Sequence, residues 1–135
     1  MKKKILTLIL TSLVLTGCAM NASSSSEASA KVITAEEAYQ MMQEEDDEIV
    51  VDVRTADEYA EAHIPGAILI PNESIANEEP KLLPDKDARI MVYCRSGNRS
   101  AQAAEKLIKM GYTNVYDFGG IKNWTYETES GEWIE

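Results

Sequence analysis

Two short apolar runs limit the fold of this chain more than any other feature. Ile49-Val50-Val51-Asp52-Val53 and Ile90-Met91-Val92-Tyr93 are strand-length and nearly continuous, the pattern of strands buried on both faces of a parallel sheet. Helix signals stand around them. Thr34-Ala35-Glu36-Glu37 has the form of a capping box, with Ala38, Met41 and Met42 as the apolar side of the helix it opens. Thr55-Ala56-Asp57-Glu58 is a second box, opening a short helix near Tyr59. Ala101, Ala104, Leu107 and Ile108 recur at helical spacing until Gly111 supplies a stop. Ala67 to Ile70, closed by Pro71, is strand-like, and Asn72 to Glu79 has room for a short helix. Asn114 to Phe118 is a last strand, Gly119-Gly120 a tight turn, and Ile121 to Trp124 the start of a final helix or turn. This alternation predicts an α/β fold with a mostly parallel sheet and helices on both faces. In such sheets ligands bind beyond the carboxyl ends of the strands.

Cys94 sits at one of those ends. It is followed by Arg95-Ser96-Gly97-Asn98-Arg99-Ser100, in which turn formers lead into the helix carrying Ala101 to Ile108. A tight strand-to-helix loop can turn several backbone N–H groups inward, with the positive end of the helix dipole behind them. Arg95 and Arg99 add cations that do not titrate away. Such surroundings lower a thiol pKa from about 8.5 toward the nucleophilic thiolate. A lone cysteine at a strand end is more often an inert core residue. Here the coincidence of turn, arginines and helix start favours chemistry.

The N-terminus has its own pattern. Lys2, Lys3 and Lys4 precede an apolar segment from Ile5 to Leu15, too short to span a bilayer, which needs about 20 apolar residues. A basic stretch before a short apolar one has the form of a secretory leader. It ends in Leu15-Thr16-Gly17-Cys18, which resembles a bacterial lipobox. That resemblance implies a leader over residues 1–17, a lipid on Cys18, and extracytoplasmic attachment to a bacterial membrane. Residues 18–30, with Ser23 to Ser26 at their centre, have too little apolar surface to fold and form a tether. Residues 31–135 then make one domain, long enough for a core without disulfides. With Cys18 lipidated, Cys94 is the one thiol left, and an unpaired thiol in an exported protein argues that it is used. The formal charge of −10 disfavours nucleic acid as a partner and requires any anion site to be local. One histidine and no paired cysteines leave no metal-ligand pattern.

The string Cys94 to Ser100 resembles the active-site loop of rhodanese-type sulfurtransferases. Val51-Asp52-Val53-Arg54 with Glu58-Tyr59 is similar to that family's Asp-Val-Arg motif. Ala62-His63-Ile64-Pro65-Gly66-Ala67 is similar to its Gly-His-Ile-Pro-Gly-Ala signature, with Ala62 in place of the usual glycine. Gly111-Tyr112 through Gly119-Gly120-Ile121 and Trp124 is similar to its last segment. The resemblance runs from about Val32 to Trp124 and implies a small five-stranded, mostly parallel sheet. It further implies that the Cys94 thiolate takes the outer sulfur of a small anionic donor such as thiosulfate. A thiol or cyanide then receives that sulfur, with no metal or organic cofactor. Residues 95–99 would supply N–H groups to the sulfur, with Arg95 and Arg99 holding the donor and Ser96, Gly97, Asn98 and Ser100 completing the loop. Asp52 and Arg54, at the end of the neighbouring strand, are expected to support it through an ion pair of Asp52 with Arg54 or Arg99. His63 is expected to hydrogen-bond structurally rather than act as a base, and Trp124 to pack. The tail around Trp133 carries no assignment.

Two other classes compete. A persulfide carrier would hand its sulfur to a partner protein instead of turning over small molecules. A cysteine phosphatase or arsenate reductase would use a related loop, but those phosphatases space cysteine and arginine by five residues, where Cys94 and Arg99 are separated by four. A shorter loop suits one terminal sulfur better than a tetrahedral phosphate.

Overall fold

Strands and helices alternate from Lys31 to Asn123 in the computed structural model, which describes residues 28–44 and 47–135. In chain order they are β1 (Lys31–Val32), α1 (Ala35–Glu44), β2 (Ile49–Asp52), α2 (Ala56–Glu61), β3 (Ile68–Leu69), β4 (Ile90–Cys94), α3 (Asn98–Lys109) and β5 (Val115–Gly120). Single 3-10 turns lie at Asn72–Ser74 and Ile121–Asn123. The leader, Cys18 and the tether up to residue 27 lie outside the described residues. Among the described residues no helix is long and apolar enough to cross a membrane.

The sheet has five strands in the order β1-β5-β4-β2-β3, and every pairing is parallel. β4 lies at the centre with all of its residues buried, which is why its sequence shows no alternation. Its side chains nevertheless divide by face. Ile90, Val92 and Cys94 join Val51, Ala103, Ala104 and Leu107 in one apolar cluster under α3. Met91 and Tyr93 join Ala38, Val50, Tyr59 and Phe118 in the other, under α1 and α2. Burying one such aliphatic side chain contributes about 1.5–3 kcal/mol, so fully enclosed Val51, Val92 and Leu107 fix α3 against the sheet.

Both capping boxes form. Thr34 Oγ1 accepts from Glu37 N at 3.1 Å while the Glu37 carboxylate accepts from Thr34 N at 2.7 Å. Thr55 and Glu58 repeat the exchange at the start of α2.

Three local expectations are revised. The stretch after Pro71 closes only one 3-10 turn, at Asn72–Ser74, because Ile75 turns extended and buries itself in the core. Gly119-Gly120 is not a free turn. β5 continues through it, with Gly120 opposite Cys94 after a register shift that inserts one extra residue on β5. The tail is also assigned: Glu129 and His63 form an antiparallel bridge, Gly131 N donates to Ala60 O at 2.9 Å, and Trp133 sets its edge against Tyr59.

Candidate active site

The carboxyl end of β4 delivers Cys94 to the bottom of a loop that rises and returns into α3. The turn needs Gly97, whose φ of 105° lies in the left-handed region. That geometry aims the Gly97 N–H at the Cys94 sulfur, 3.0 Å away. Ser100, buried in the first turn of α3, holds its hydroxyl 3.5 Å from the same sulfur. Its oxygen also lies 3.1 Å from Gly97 O and 3.3 Å from Gly119 O, so the hydroxyl is held between the loop and β5.

Gly120 brings β5 up against the outside of the loop. A Cβ there would stand 2.7 Å from Ser96 Cα and collide with the Arg95 carbonyl. The Arg95 carbonyl accepts from Lys122 N at 3.2 Å. Backbone at the end of β5 thus braces the reactive loop.

The balance of forces on the thiol follows from this arrangement. Burial is the largest influence and pushes the Cys94 pKa up. The Ser100 hydroxyl and the N–H groups of Ser100, Gly97 and Ser96 together outweigh it, leaving the pKa below the ordinary thiol value. These neutral donors, rather than the two loop arginines, are the principal source of the lowering.

The arginines have different tasks. Arg99 turns away into a two-pronged pair with Glu58, with Nη1–Oε2 at 2.7 Å and Nη2–Oε1 at 2.8 Å. Its hydrogen bonds lower the Glu58 pKa to about 2, against the opposing effect of partial burial. The same Glu58 is the capping residue of α2, so one carboxylate locks α2 to α3 across the site. Arg95 is exposed, and its side chain makes no hydrogen bond or ion pair among the described residues. Ser96 and Asn98 are exposed on the rim beside it.

Asp52 and Arg54 form a buried pair beneath the site. Arg54 Nη2 and Nε reach Asp52 at 2.6 and 2.9 Å, and Tyr93 OH donates to Asp52 at 2.8 Å. The remaining Nη2 capacity goes to the Ala62 carbonyl at 2.6 Å, and Tyr93 OH accepts from Ile64 N at 3.1 Å. The network ties the ends of β2 and β4 to the His63-Ile64 segment, with each polar group satisfied as burial demands. Ala62, with φ of −163°, is ordinary extended backbone that any residue adopts, and it takes part through its backbone, the carbonyl accepting from Arg54 and the N–H donating to Glu58 O at 3.2 Å, so nothing there requires glycine. His63 is buried, stacked on Tyr59 at 3.7 Å, with Nδ1 2.8 Å from Tyr59 O and Nε2 3.2 Å from Glu129. It makes no hydrogen bond to the Cys94 loop.

Arg54, Glu58, Arg95, Ile121 and Lys122 line a cavity of about 550 Å³ at the edge of the loop. Lys122 is exposed, and its side chain has no partner among the described residues. Sequence reading overlooked both Glu58 as the partner of Arg99 and Lys122 as a second unpaired cation beside Arg95. The only available signal for Lys122 was its position two residues after Gly120. No group of three or more histidine, cysteine or acidic side chains is arranged to hold a metal among the described residues.

Comparison with known proteins agrees with this geometry. The chain is 41% identical over 73 residues to thiosulfate sulfurtransferase PspE of Escherichia coli, covering 54% of this chain and 70% of that one. It is 39% identical over 87 residues to thiosulfate sulfurtransferase GlpE of Pseudomonas entomophila, covering 62% and 78%. Among solved structures, a rhodanese with anions from Escherichia coli superposes with a TM-score of 0.58 at 38% identity, over 62% of this chain and 99% of that one. The rhodanese-like domain family model matches residues 34–127, taking in β2, the Cys94 loop and β5 in a single span; the chain belongs to the rhodanese-like family.

Proposed function

We propose that this protein is a sulfurtransferase that carries sulfane sulfur on Cys94, taking it from thiosulfate or a persulfide and delivering it to a thiol or cyanide. The observation that carries this reading is the Cys94 sulfur facing the Gly97 N–H and the Ser100 hydroxyl, with its pKa lowered despite burial. In the first step the thiolate attacks the outer sulfur of thiosulfate. The S–S bond of the donor breaks, sulfite leaves with its electron pair, and Cys94 becomes a persulfide. The negative terminal sulfur is stabilised by loop N–H groups fixed in advance. In the second step the acceptor attacks that terminal sulfur and Cys94 leaves as the thiolate. Arg95 and Lys122, the unpaired cations beside the loop, hold the donor anion, while Arg99 braces the loop through Glu58.

Intact-mass analysis tests the chemistry. Thiosulfate is expected to add one sulfur atom to the protein, cyanide to remove it, and Cys94→Ser to do neither. Full turnover by Cys94→Ser would refute the mechanism. A persulfide that resists cyanide and small thiols yet transfers to a protein acceptor would assign the carrier role instead.

We further propose that the mature chain begins at a lipid-bearing Cys18 outside the cytoplasmic membrane. The support is Lys2 to Lys4, the short apolar segment and Leu15-Thr16-Gly17-Cys18. Cys18→Ser is expected to abolish lipid incorporation; an unlipidated mature N-terminus at another residue would overturn the proposal.

A further inference from the structure

Residues 128–135 lie past the end of the rhodanese-like match, which stops at residue 127, yet they reach the cavity beside the Cys94 loop. Thr128 lines that cavity together with Arg54, Glu58, Arg95 and Lys122. The next residue fixes this wall in place. Glu129 N donates to His63 O at 2.9 Å, and His63 N donates to Glu129 O at 2.8 Å. Gly131 N then bonds Ala60 O, and Trp133 meets Tyr59. The tail is thus fastened to α2 and to the His63 segment directly after it has closed one side of the cavity.

The side-chain contact between His63 and Glu129 carries a proton requirement. Nδ1 stands 2.8 Å from the Tyr59 carbonyl, which only accepts, so Nδ1 bears a hydrogen. Nε2 stands 3.2 Å from Glu129 Oε1. A neutral imidazole has one N–H, already given to Tyr59, and would turn a lone pair toward the carboxylate oxygen. The contact therefore closes only with a second proton, which sets an imidazolium beside a carboxylate. His63 is buried and stacked on Tyr59, which holds the ring in the plane of both contacts. The charged groups around it are Glu129 on the tail, exposed Glu61 on α2, and Arg54, which bonds the Ala62 carbonyl and is itself paired with Asp52. Among these only Glu129 hydrogen-bonds the ring.

We propose that His63 and Glu129 are positioning residues for sulfur transfer: their contact, which needs both imidazole protons, holds Thr128 as a wall of the donor cavity. Losing the contact weakens donor binding and leaves Cys94 untouched. The kinetic consequence rests on the sulfurtransferase reading, whereas the proton and the position of the tail do not, so the two fail separately.

His63 is the one histidine of the chain, so nitrogen-15 NMR of the untagged full chain shows a single imidazole. At pH 6 both ring nitrogens are expected to be protonated. Between pH 6 and pH 8.5 Nε2 is expected to lose its proton while Nδ1 keeps its own, with the Gly131 amide signal shifting in step. Thiosulfate keeps its charge over this range, and its KM is expected to be at least three-fold higher at pH 8.5 than at pH 6. Glu129→Ala should show the higher KM at both pH values, with kcat within two-fold of wild type. Glu129→Gln is the rescue: its amide accepts from a protonated Nε2 or donates to a bare one, so KM should stay low throughout. A bare Nε2 at pH 6 with the Gly131 signal in place would overturn the proton requirement. Unchanged KM in Glu129→Ala, whether or not kcat falls, would reduce the contact to a matter of stability and overturn its part in donor binding.

Discussion

Arg99 and Glu58, forty-one positions apart in the chain, grip each other through two parallel hydrogen bonds across the reactive loop. Both side chains are about three-quarters buried, a setting in which a two-pronged charge-assisted pair contributes more than an exposed one. Arg99→Ala is expected to lower stability by about 1 kcal/mol and to slow sulfur transfer by loosening the loop. Urea unfolding and steady-state turnover measure the two effects. Unchanged stability together with a large rise in KM for thiosulfate would show that Arg99 contacts the donor instead.

The same pair makes a pH prediction. Glu58 is held at about 2 in the folded chain, below its ordinary value of 4.5. A depressed folded pKa gives stability that is fully present above the unfolded value and is lost as pH falls through the folded one. The urea midpoint is therefore expected to fall between about pH 4.5 and pH 2. Glu58→Gln removes that part of the slope, and an unchanged slope in this variant would locate the acid sensitivity elsewhere.

Thiol activation is measured by the pH dependence of Cys94 alkylation. Its pKa is lowered, so the rate is expected to rise with pH about a midpoint below the ordinary value of about 8.5. Ser100→Ala removes the hydroxyl donor and should move that midpoint upward. Because Arg99 points to Glu58, Arg99→Ala should move it less. The reverse ranking would return the main role to the arginine.

Loop width separates sulfur transfer from phosphoryl transfer. The loop closes tightly on one sulfur, and Arg99, the residue placed to grip phosphate oxygens in a phosphatase, is occupied by Glu58. Negligible aryl phosphate hydrolysis is expected beside measurable thiosulfate sulfurtransferase activity. Phosphate turnover that disappears in Cys94→Ser would reverse the assignment.

Gly120→Ala tests the brace beneath the loop. Gly120 has an ordinary φ of −120°, so the substitution acts through collision with Arg95 and Ser96 rather than through backbone preference. Overpacking of this kind costs about 1–3 kcal/mol. Turnover is expected to fall at least ten-fold, and the alkylation midpoint to rise as the loop N–H groups shift from the sulfur. Wild-type turnover would mean that the loop accommodates the methyl group without losing its geometry.

What the sequence disclosed, and what it hid, divides by range. The capping boxes at Thr34 and Thr55 are legible because each is complete within four residues. The buried runs at Val50 and Val92 are legible because enclosure on both faces leaves no polar alternation. β1 escaped notice because Lys31 and Val32 are only two residues, both exposed at an edge, too short a run to show a strand pattern. The pairing of Cys94 with Gly120 was hidden because two adjacent glycines carry the local signature of a turn, while only the neighbouring strand reveals that they are a close-approach surface. Glu58 was concealed by its own local role, since a capping glutamate needs no distant partner to explain it. The Trp133 tail was unreadable because its bridge to His63 spans sixty-six residues.

The contact of Gly120 with Arg95 also sets an order of events during chain growth. Cys94, Gly97 and Ser100 are synthesised together, yet the surface that holds their loop arrives with the last strand and reaches Lys122. Until β5 pairs with β4, the loop has only the Arg99–Glu58 pair to hold it from outside and lacks the close backbone surface at Gly120. Nascent chains ending before Gly120 would thus expose a thiol of ordinary reactivity. Acquisition of the low-pKa form becomes a chemical clock for completion of the sheet.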